Sequence, residues 1–473
     1  MEIDSLNPIL TTNNHVSKIL NLVYEPLFCI YSDESLKPIL ATEYAEKDDL
    51  NWIVKLKKDV SFHNGEKFTS KDVIFTINSL ISDDINSVYK ANVSNILSVE
   101  AIDDYSINFT LKEKDPLFIY KLVFPIIPEY YFKDGGIFDE VKNSIPVGTG
   151  AYKYVLTNDS EGYIMLKKND KWWNNSLNEL KLDTIYLMKY PTYGEAIKAY
   201  KSAKVDLIVT TMSDWVKKFG TIGSNVYSFE SSIYDLLIPN ANNKILSDNA
   251  VRKAILYAIN RENIVSKVFN SNATINDLPI HAYSKNYFSN LRSDYDVDKA
   301  KQILINGGWK NENGVWNKNG TKLRITILVN EGNAEQIKAC EIIKDNLNDI
   351  NISVTIKKVG FANFQKSLQN GNFELAIASV DIKNEYTILE LLEENGLLNY
   401  SKYKSEKISE TLKRINGDYS EKSYKYLEEI LKDEVPYIGL YFRNNTLLTN
   451  KSVKGSIEPY WFNFYKDITT WCK

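Results

Sequence analysis

Apolar and polar positions alternate cleanly between Trp52 and Lys57. Trp52, Val54 and Leu56 fall on one side and Ile53, Lys55 and Lys57 on the other. This period of two predicts a half-buried strand. Asn64-Gly65 then marks a tight turn, since Gly tolerates positive φ and Asn nearly does. Thr69 stands three residues before Asp72, the spacing of a capping box, with the carboxylate at the positive end of the helix dipole. Val73, Ile74, Ile77, Leu80 and Ile81 supply the apolar stripe of the helix that follows.

Two longer stretches switch between the strand and helix periods. The first predicts a strand over 183–190, a helix over 194–203 and a strand over 205–209. The second predicts strands over 322–329, 352–359 and 373–378, with helices over 334–347 and 363–369 between them. Strands alternating with short helices imply parallel sheets covered on both faces. Ligands of such sheets bind at the carboxyl ends of the strands, where helix N-termini point. Between the two stretches, Ser247-Asp248 caps an amphipathic helix with Val251, Ala254, Ile255, Ala258 and Ile259 on one stripe. Arg252 and Arg261 are expected to anchor the ends of this element.

At 473 residues the chain is too long for one core, so two or three domains are expected. No Pro/Gly/Ser linker marks a boundary, which discontinuous domains would explain. A net charge of −4 offers no basic field for nucleic acid. No apolar run approaches the length of a membrane span. The 31 Tyr and 8 Trp exceed what core packing alone asks for and fit a protein that lines a large surface with amphipathic rings. Positive charge is almost all Lys, with six Arg, a bias of AT-rich bacterial genomes.

Cys29, Cys340 and Cys472 are too few and too scattered for a disulfide framework or a zinc site. Cys340 falls on a helical face as a small buried residue, and a Cys29–Cys472 bridge stays open. His15, His63 and His281 are isolated, and His63 sits in the turn as a structural residue. There is no HExxH, EF-hand, P-loop, G-x-G-x-x-G or G-x-S-x-G spacing. Nothing here supports an enzyme, a metal site or a cofactor.

The segment from Trp52 to Val73 resembles a signature of the extracellular solute-binding proteins of ABC importers, family 5, the receptors for oligopeptides, dipeptides and nickel complexes. Further matches follow in order. They are Ser5-Leu6-Asn7-Pro8, Tyr24-Glu25-Pro26-Leu27, Pro38-Ile39-Leu40-Ala41, Val147 to Tyr152, Asn169 to Trp173, Val251 to Val265, Val435 to Ile438 and Val453-Lys454-Gly455. The resemblance implies an α/β fold of the periplasmic-binding-protein type II, two lobes with an additional domain and a ligand cleft between the lobes. It implies lobe I from 1–24, 140–233 and 445–473, an additional domain II from 25–139, and lobe III from 234–444. Residues 2–8 lack the pattern of an export signal, so the chain reads as the mature form of an exported, lipid-anchored protein of a Gram-positive bacterium. Cys29, after Pro26-Leu27-Phe28, is not in a lipidation box.

The implied function is capture of a peptide by lobe closure and delivery to a membrane permease, by a monomer. A metal chelate, a metallophore, an oligosaccharide or a role as a ligand sensor are the alternatives. By the same resemblance, peptides are gripped through their main chain by Thr12, Asn13 and Asn14 and by Thr210 and Thr211. Phe361 is a pocket wall or ordinary core. The family's "F-(D/E)-x-x-x-x-G-W-x-x-D-Y" segment, whose Asp takes the peptide's ammonium group, reads here Phe373-Glu374 to Tyr386. Val380 stands at the Trp position and Lys383 at the Asp position. Asp381 is the nearby carboxylate that would serve instead, whereas Lys383 would favour an anionic group on the ligand.

Overall fold

The structure is a computed structural model that describes residues 3–31, 35–175, 179–281, 293–382, 385–418 and 421–473. The chain divides into two compact units. Unit 1 holds 1–210, 218–227 and 447–473, and unit 2 holds 211–217 and 228–446. Among the described residues, no helix is long and apolar enough to cross a membrane.

Unit 1 begins with helix α1 (Asn14–Leu20). A four-stranded antiparallel sheet follows, built from β1 (Ala41–Glu46), β2 (Asn51–Leu56), β3 (Ile96–Asp103) and β4 (Ser106–Leu111) in the order β1-β2-β4-β3. The period-two reading holds, because Trp52, Val54 and Leu56 are buried while Lys55 is exposed. Helix α2 (Ser70–Ile81) buries Val73, Ile77 and Leu80 completely. Its Thr69 cap donates its backbone N–H to Asp72 at 2.8 Å. Gly65 takes φ +97° at the turn, where a side chain would be strained.

A second, three-stranded antiparallel sheet of unit 1 runs β5 (Tyr152–Asn158), β6 (Tyr163–Lys168) and β7 (Thr184–Met188). Helix α3 (Tyr193–Lys201) then leads to β8 (Leu207–Thr210). Here the parallel expectation fails. β7 pairs antiparallel with β6, and β8 pairs with the strand Ile438–Asn450. Hydrophobic period shows that two segments are strands but not which edges meet.

Unit 2 carries the parallel sheet. Its strands are β9 (Ser224–Pro239), β10 (Arg324–Asn330), β11 (Ser353–Val359), β12 (Leu375–Asp381) and β13 (Ile438–Asn450), in the order β13-β9-β12-β10-β11. β10 runs parallel to both β11 and β12, while β9 and β12 are antiparallel. Each face has its own core. Leu237, Leu375 and Ile377 pack with Ala339, Cys340, Ile343 and Leu347 of the helix Ala334–Asp349. Leu236, Ile238, Ala376 and Ala378 pack with Phe364 and Leu368 on the opposite face. Cover on both faces is why β12 reads as an unbroken apolar run.

The element after Asp248 is two helices rather than one, α4 (Asn249–Ala258) and α5 (Arg261–Phe269). Asn260 interrupts the stripe because its side chain caps α5 by accepting from the Asn263 N–H at 2.9 Å. Arg252 donates to the carbonyls of Leu246, Ser247, Glu434 and Val435, and Arg261 to that of Gly439. Both tie this helical element to neighbouring backbone. Helices α6 (Ala334–Asp349) and α7 (Phe361–Asn370) are the two crossovers of the parallel sheet. Cys29, Cys340 and Cys472 are all free thiols, so the bridge left open by the sequence does not form.

Candidate functional site

Four of the motifs meet in the interior of unit 1. The Glu25 carboxylate accepts from Trp172 Nε1 at 3.0 Å, Trp173 Nε1 at 2.9 Å and Thr149 Oγ1 at 2.8 Å. Burial drives its pKa up to about 7, against the pull of those three hydrogen bonds. His63 receives the Gly148 N–H on Nδ1 at 3.3 Å and faces the Gly150 carbonyl with Nε2 at 3.0 Å. That arrangement is satisfied by the neutral Nε2–H tautomer. Burial accordingly pushes its pKa down to about 4.

Gly148 and Gly150 lie against the backbone of Leu22 and Val23. A Cβ on Gly148 would sit 2.0 Å from the Val23 oxygen, and one on Gly150 2.6 Å from the Leu22 oxygen. These glycines therefore serve close backbone approach rather than a phosphate. The hub ties four separated stretches of the chain to one another.

The carboxyl edge of the unit 2 sheet differs in kind. Parallel register brings the ends of β10, β11 and β12, at Asn330, Val359 and Asp381, to one side. Helices α6 and α7 start at that same side. Asn333 caps α6 by accepting from the Gln336 N–H at 3.1 Å, whereas α7 has Gly360 as its cap and no side-chain bond there. Phe361, the first residue of α7, is 63% exposed, which removes the reading of it as core. Asp381 is exposed at the end of β12. Lys383 lies outside the described residues.

Behind this edge stands a buried polar network. Asp235 of β9 is fully buried and accepts from Arg443 Nε at 2.6 Å, Gln336 Nε2 at 2.7 Å and Ser379 Oγ at 2.5 Å. Arg443 also reaches Glu335 at 2.9 Å. The network locks the first turn of α6 to β9, β12 and β13. Nearby, buried His281 contacts Glu230 through Nδ1 at 2.7 Å and the Ile382 carbonyl through Nε2 at 3.1 Å, and stacks on Phe442. It thus holds the backbone next to Asp381. Neither cluster was legible in the sequence, because their bonded members lie 43 to 208 residues apart and carry no spacing signal.

In unit 1 the predicted grip segment is a pinned loop. Asp4 accepts from Thr11 Oγ1 at 2.6 Å, from the Thr12 N–H at 2.7 Å and hydroxyl at 3.1 Å, and from the Asn13 N–H at 3.2 Å. Partial burial opposes ionisation of Asp4, but the Thr11 and Thr12 hydrogen bonds hold its carboxyl below the ordinary range. Asn13 caps α1 by accepting from the His15 N–H at 3.0 Å, and Asn14 opens the helix. Thr12 is exposed. Thr210 ends β8 as a buried residue of unit 1, and Thr211 opens the next segment, exposed, in unit 2.

The model of the bacterial extracellular solute-binding proteins, family 5, matches residues 35–385. The oligopeptide-binding protein AppA of Bacillus subtilis is 26% identical over 96% of this chain and 89% of its own length. The nickel-binding periplasmic protein of Escherichia coli is 25% identical over 75% of this chain and 69% of its own length. Among solved structures, HbpA2 from Haemophilus parasuis superposes with a TM-score of 0.86 at 20% identity, over 98% of this chain and 97% of its own.

Proposed function

Because the chain belongs to the bacterial extracellular solute-binding proteins, family 5, we propose that it captures peptides outside the cell and hands them to the membrane permease of an ABC importer. A closing motion biased by the ligand's differential affinity suffices for this, without chemistry. The observation that carries the reading is the carboxyl edge of the parallel sheet in unit 2. There, three strand ends, two helix N-termini and an exposed aromatic ring converge over a rigid buried network.

In this reading an extended peptide is held by main-chain hydrogen bonds at Thr12, Asn13, Asn14, Thr210 and Thr211, with Phe361 as a pocket wall. Asp381 takes the peptide's ammonium group in place of the family's Asp, whereas Lys383 would favour a ligand with an anionic group. We further propose that 1–24, 140–233 and 445–473 form lobe I, 25–139 an additional domain and 234–444 lobe III. Within unit 1 the sheet at 41–111 and the sheet at 152–188 are separate, which supports that division. The protein acts as a monomer, carried at the surface of a Gram-positive cell by a lipid anchor. A metal chelate is the second reading, favoured by the similarity to the nickel-binding protein.

Native mass spectrometry of the purified protein, followed by denaturation and sequencing of what is released, tests both. Co-purified peptides of similar length support the first reading, and Asp381→Ala should then weaken peptide binding about tenfold or more. A released metal complex, or peptide retention unchanged by Asp381→Ala, overturns the assignment of ligand or of residue respectively.

A further inference from the structure

One end of unit 1 is assembled from stretches far apart in the chain. The Asn450 N–H, at the end of β13, donates to the Asp206 carbonyl just before β8 at 2.9 Å. The Lys451 N–H donates to the Gly223 carbonyl just before β9 at 3.2 Å. Tyr200 of α3 donates its hydroxyl to Ser224 Oγ at 2.9 Å, and Lys454 and Cys472 exchange backbone hydrogen bonds. Thr210 lies at the opposite end of β8, so this end is separate from the residues proposed to grip a ligand. Its charge departs from that of the chain, which carries 57 Lys and Arg against 61 Asp and Glu. Residues 198–206, 450–454 and 472–473 hold six Lys and one Asp. Asp206 is taken up by Lys473, 2.8 Å away. That leaves Lys198, Lys201, Lys204, Lys451 and Lys454, all exposed, with no other carboxylate side chain in these stretches. The turn that meets Lys451 carries Ile222, which is fully exposed between Gly220 at φ +75° and Gly223 at φ +83°.

We infer that this end of unit 1 docks onto an anionic lipid bilayer, with the lysines on the headgroups and Ile222 inserted at the boundary between headgroups and acyl chains. Each lysine within a Debye length of such a surface favours the bound state about fivefold, and the factors multiply. A single exposed apolar side chain is ordinary on a protein surface, but one at the tip of a turn among lysines has a use that the charges alone do not give it. A soluble polyanion would engage the lysines and leave Ile222 in water. A bilayer takes both, because its interface offers anionic oxygens and hydrocarbon within a few ångströms of each other. The docking is independent of the ligand. Delivery to a membrane permease keeps the protein beside this kind of surface, and a weak hold there confines its search for the permease to two dimensions.

The test is flotation of the full chain with vesicles of phosphatidylcholine alone, or of phosphatidylcholine and phosphatidylglycerol at about three to one. The protein should float with the second kind and not with the first, and added salt should release it. Lys201→Gln with Lys451→Gln should lower the partition coefficient about tenfold or more. Lys67→Gln with Lys71→Gln removes the same charge from exposed positions elsewhere in unit 1 and should leave partition within about twofold of the parent. Ile222→Ser should lower partition about threefold or more, whereas Leu97→Ser, at another exposed apolar residue of unit 1, should not. Equal partition to the two kinds of vesicle, or an equal loss from the two lysine pairs, would overturn the inference. So would an Ile222→Ser variant that floats like the parent while soluble polyphosphate strips both from the vesicles, since the partner would then be a polyanion in solution.

Discussion

Replacing Glu25 by Gln removes the one ionisable group at the centre of the unit 1 hub. In the folded protein its carboxyl titrates at about 7, raised chiefly by burial, against an ordinary value of 4.5. The folded state therefore keeps a proton that the unfolded chain releases between those values. Stability from this group is fully present below about pH 4.5 and falls as pH rises through about 7. At about 1.4 kcal/mol per pH unit, the displacement amounts to about 3 kcal/mol. The Gln amide still offers an oxygen to the Trp172 N–H, but its NH₂ faces the Trp173 N–H where Oε2 stood, which costs about 1–2 kcal/mol at every pH.

The variant should thus be less stable than the parent by about 1–2 kcal/mol at about pH 4.5 and more stable by about 1–2 kcal/mol at about pH 8, a relative change of about 3 kcal/mol. Urea unfolding followed by tryptophan emission reads this directly, since Trp172 and Trp173 both touch Glu25. Only the difference between the two proteins is used, so other titrating groups cancel. A gap that stays constant across the range would refute the reasoning. It would mean that the three donors compensate the buried charge completely.

His63 carries the opposite sign. Its folded value of about 4 lies below the ordinary 6.5, so its stability contribution is present above about pH 6.5 and is lost as pH falls toward 4. His63→Asn should lose that acid sensitivity, and the stability difference from the parent should shrink on acidification in the same urea series. Gly148→Ala places a Cβ 2.0 Å from the Val23 oxygen. It should cost about 3 kcal/mol or more through backbone displacement, read as a lower melting temperature, while Gly136→Ala in open space serves as the positive-φ control. An unchanged melting temperature for Gly148→Ala would show that the 22–23 backbone gives way freely.

The fold was legible where the signal is local. The alternation at Trp52 to Leu56, the Thr69–Asp72 cap and the crossovers of the 324–381 sheet all follow from side chains within a few residues of one another. Asn260 shows the limit of that reasoning. One element is predicted from Arg252 to Arg261, but a side-chain cap at Asn260 splits it into two helices. The candidate site was half legible. The family resemblance named Phe361 and Asp381, and parallel register brings both to one edge. The Asp235 network and His281 were not, because each is an encounter between strands far apart in the chain.

By itself, the sequence determined which segments are strands and which are helices, where glycine is required, and which family the motifs spell. These properties rest on the chain's short-range periods of 2 and 3.6 and on local backbone sterics. Only the tertiary structure decided that Glu25, His63 and the Gly148–Gly150 segment form one hub, and that β7 and β8 lie in different sheets. It also decided that Arg443 and Gln336 share a single buried carboxylate. Pairing of edges and burial of charge depend on which distant surfaces exclude water together, and no local pattern encodes that choice.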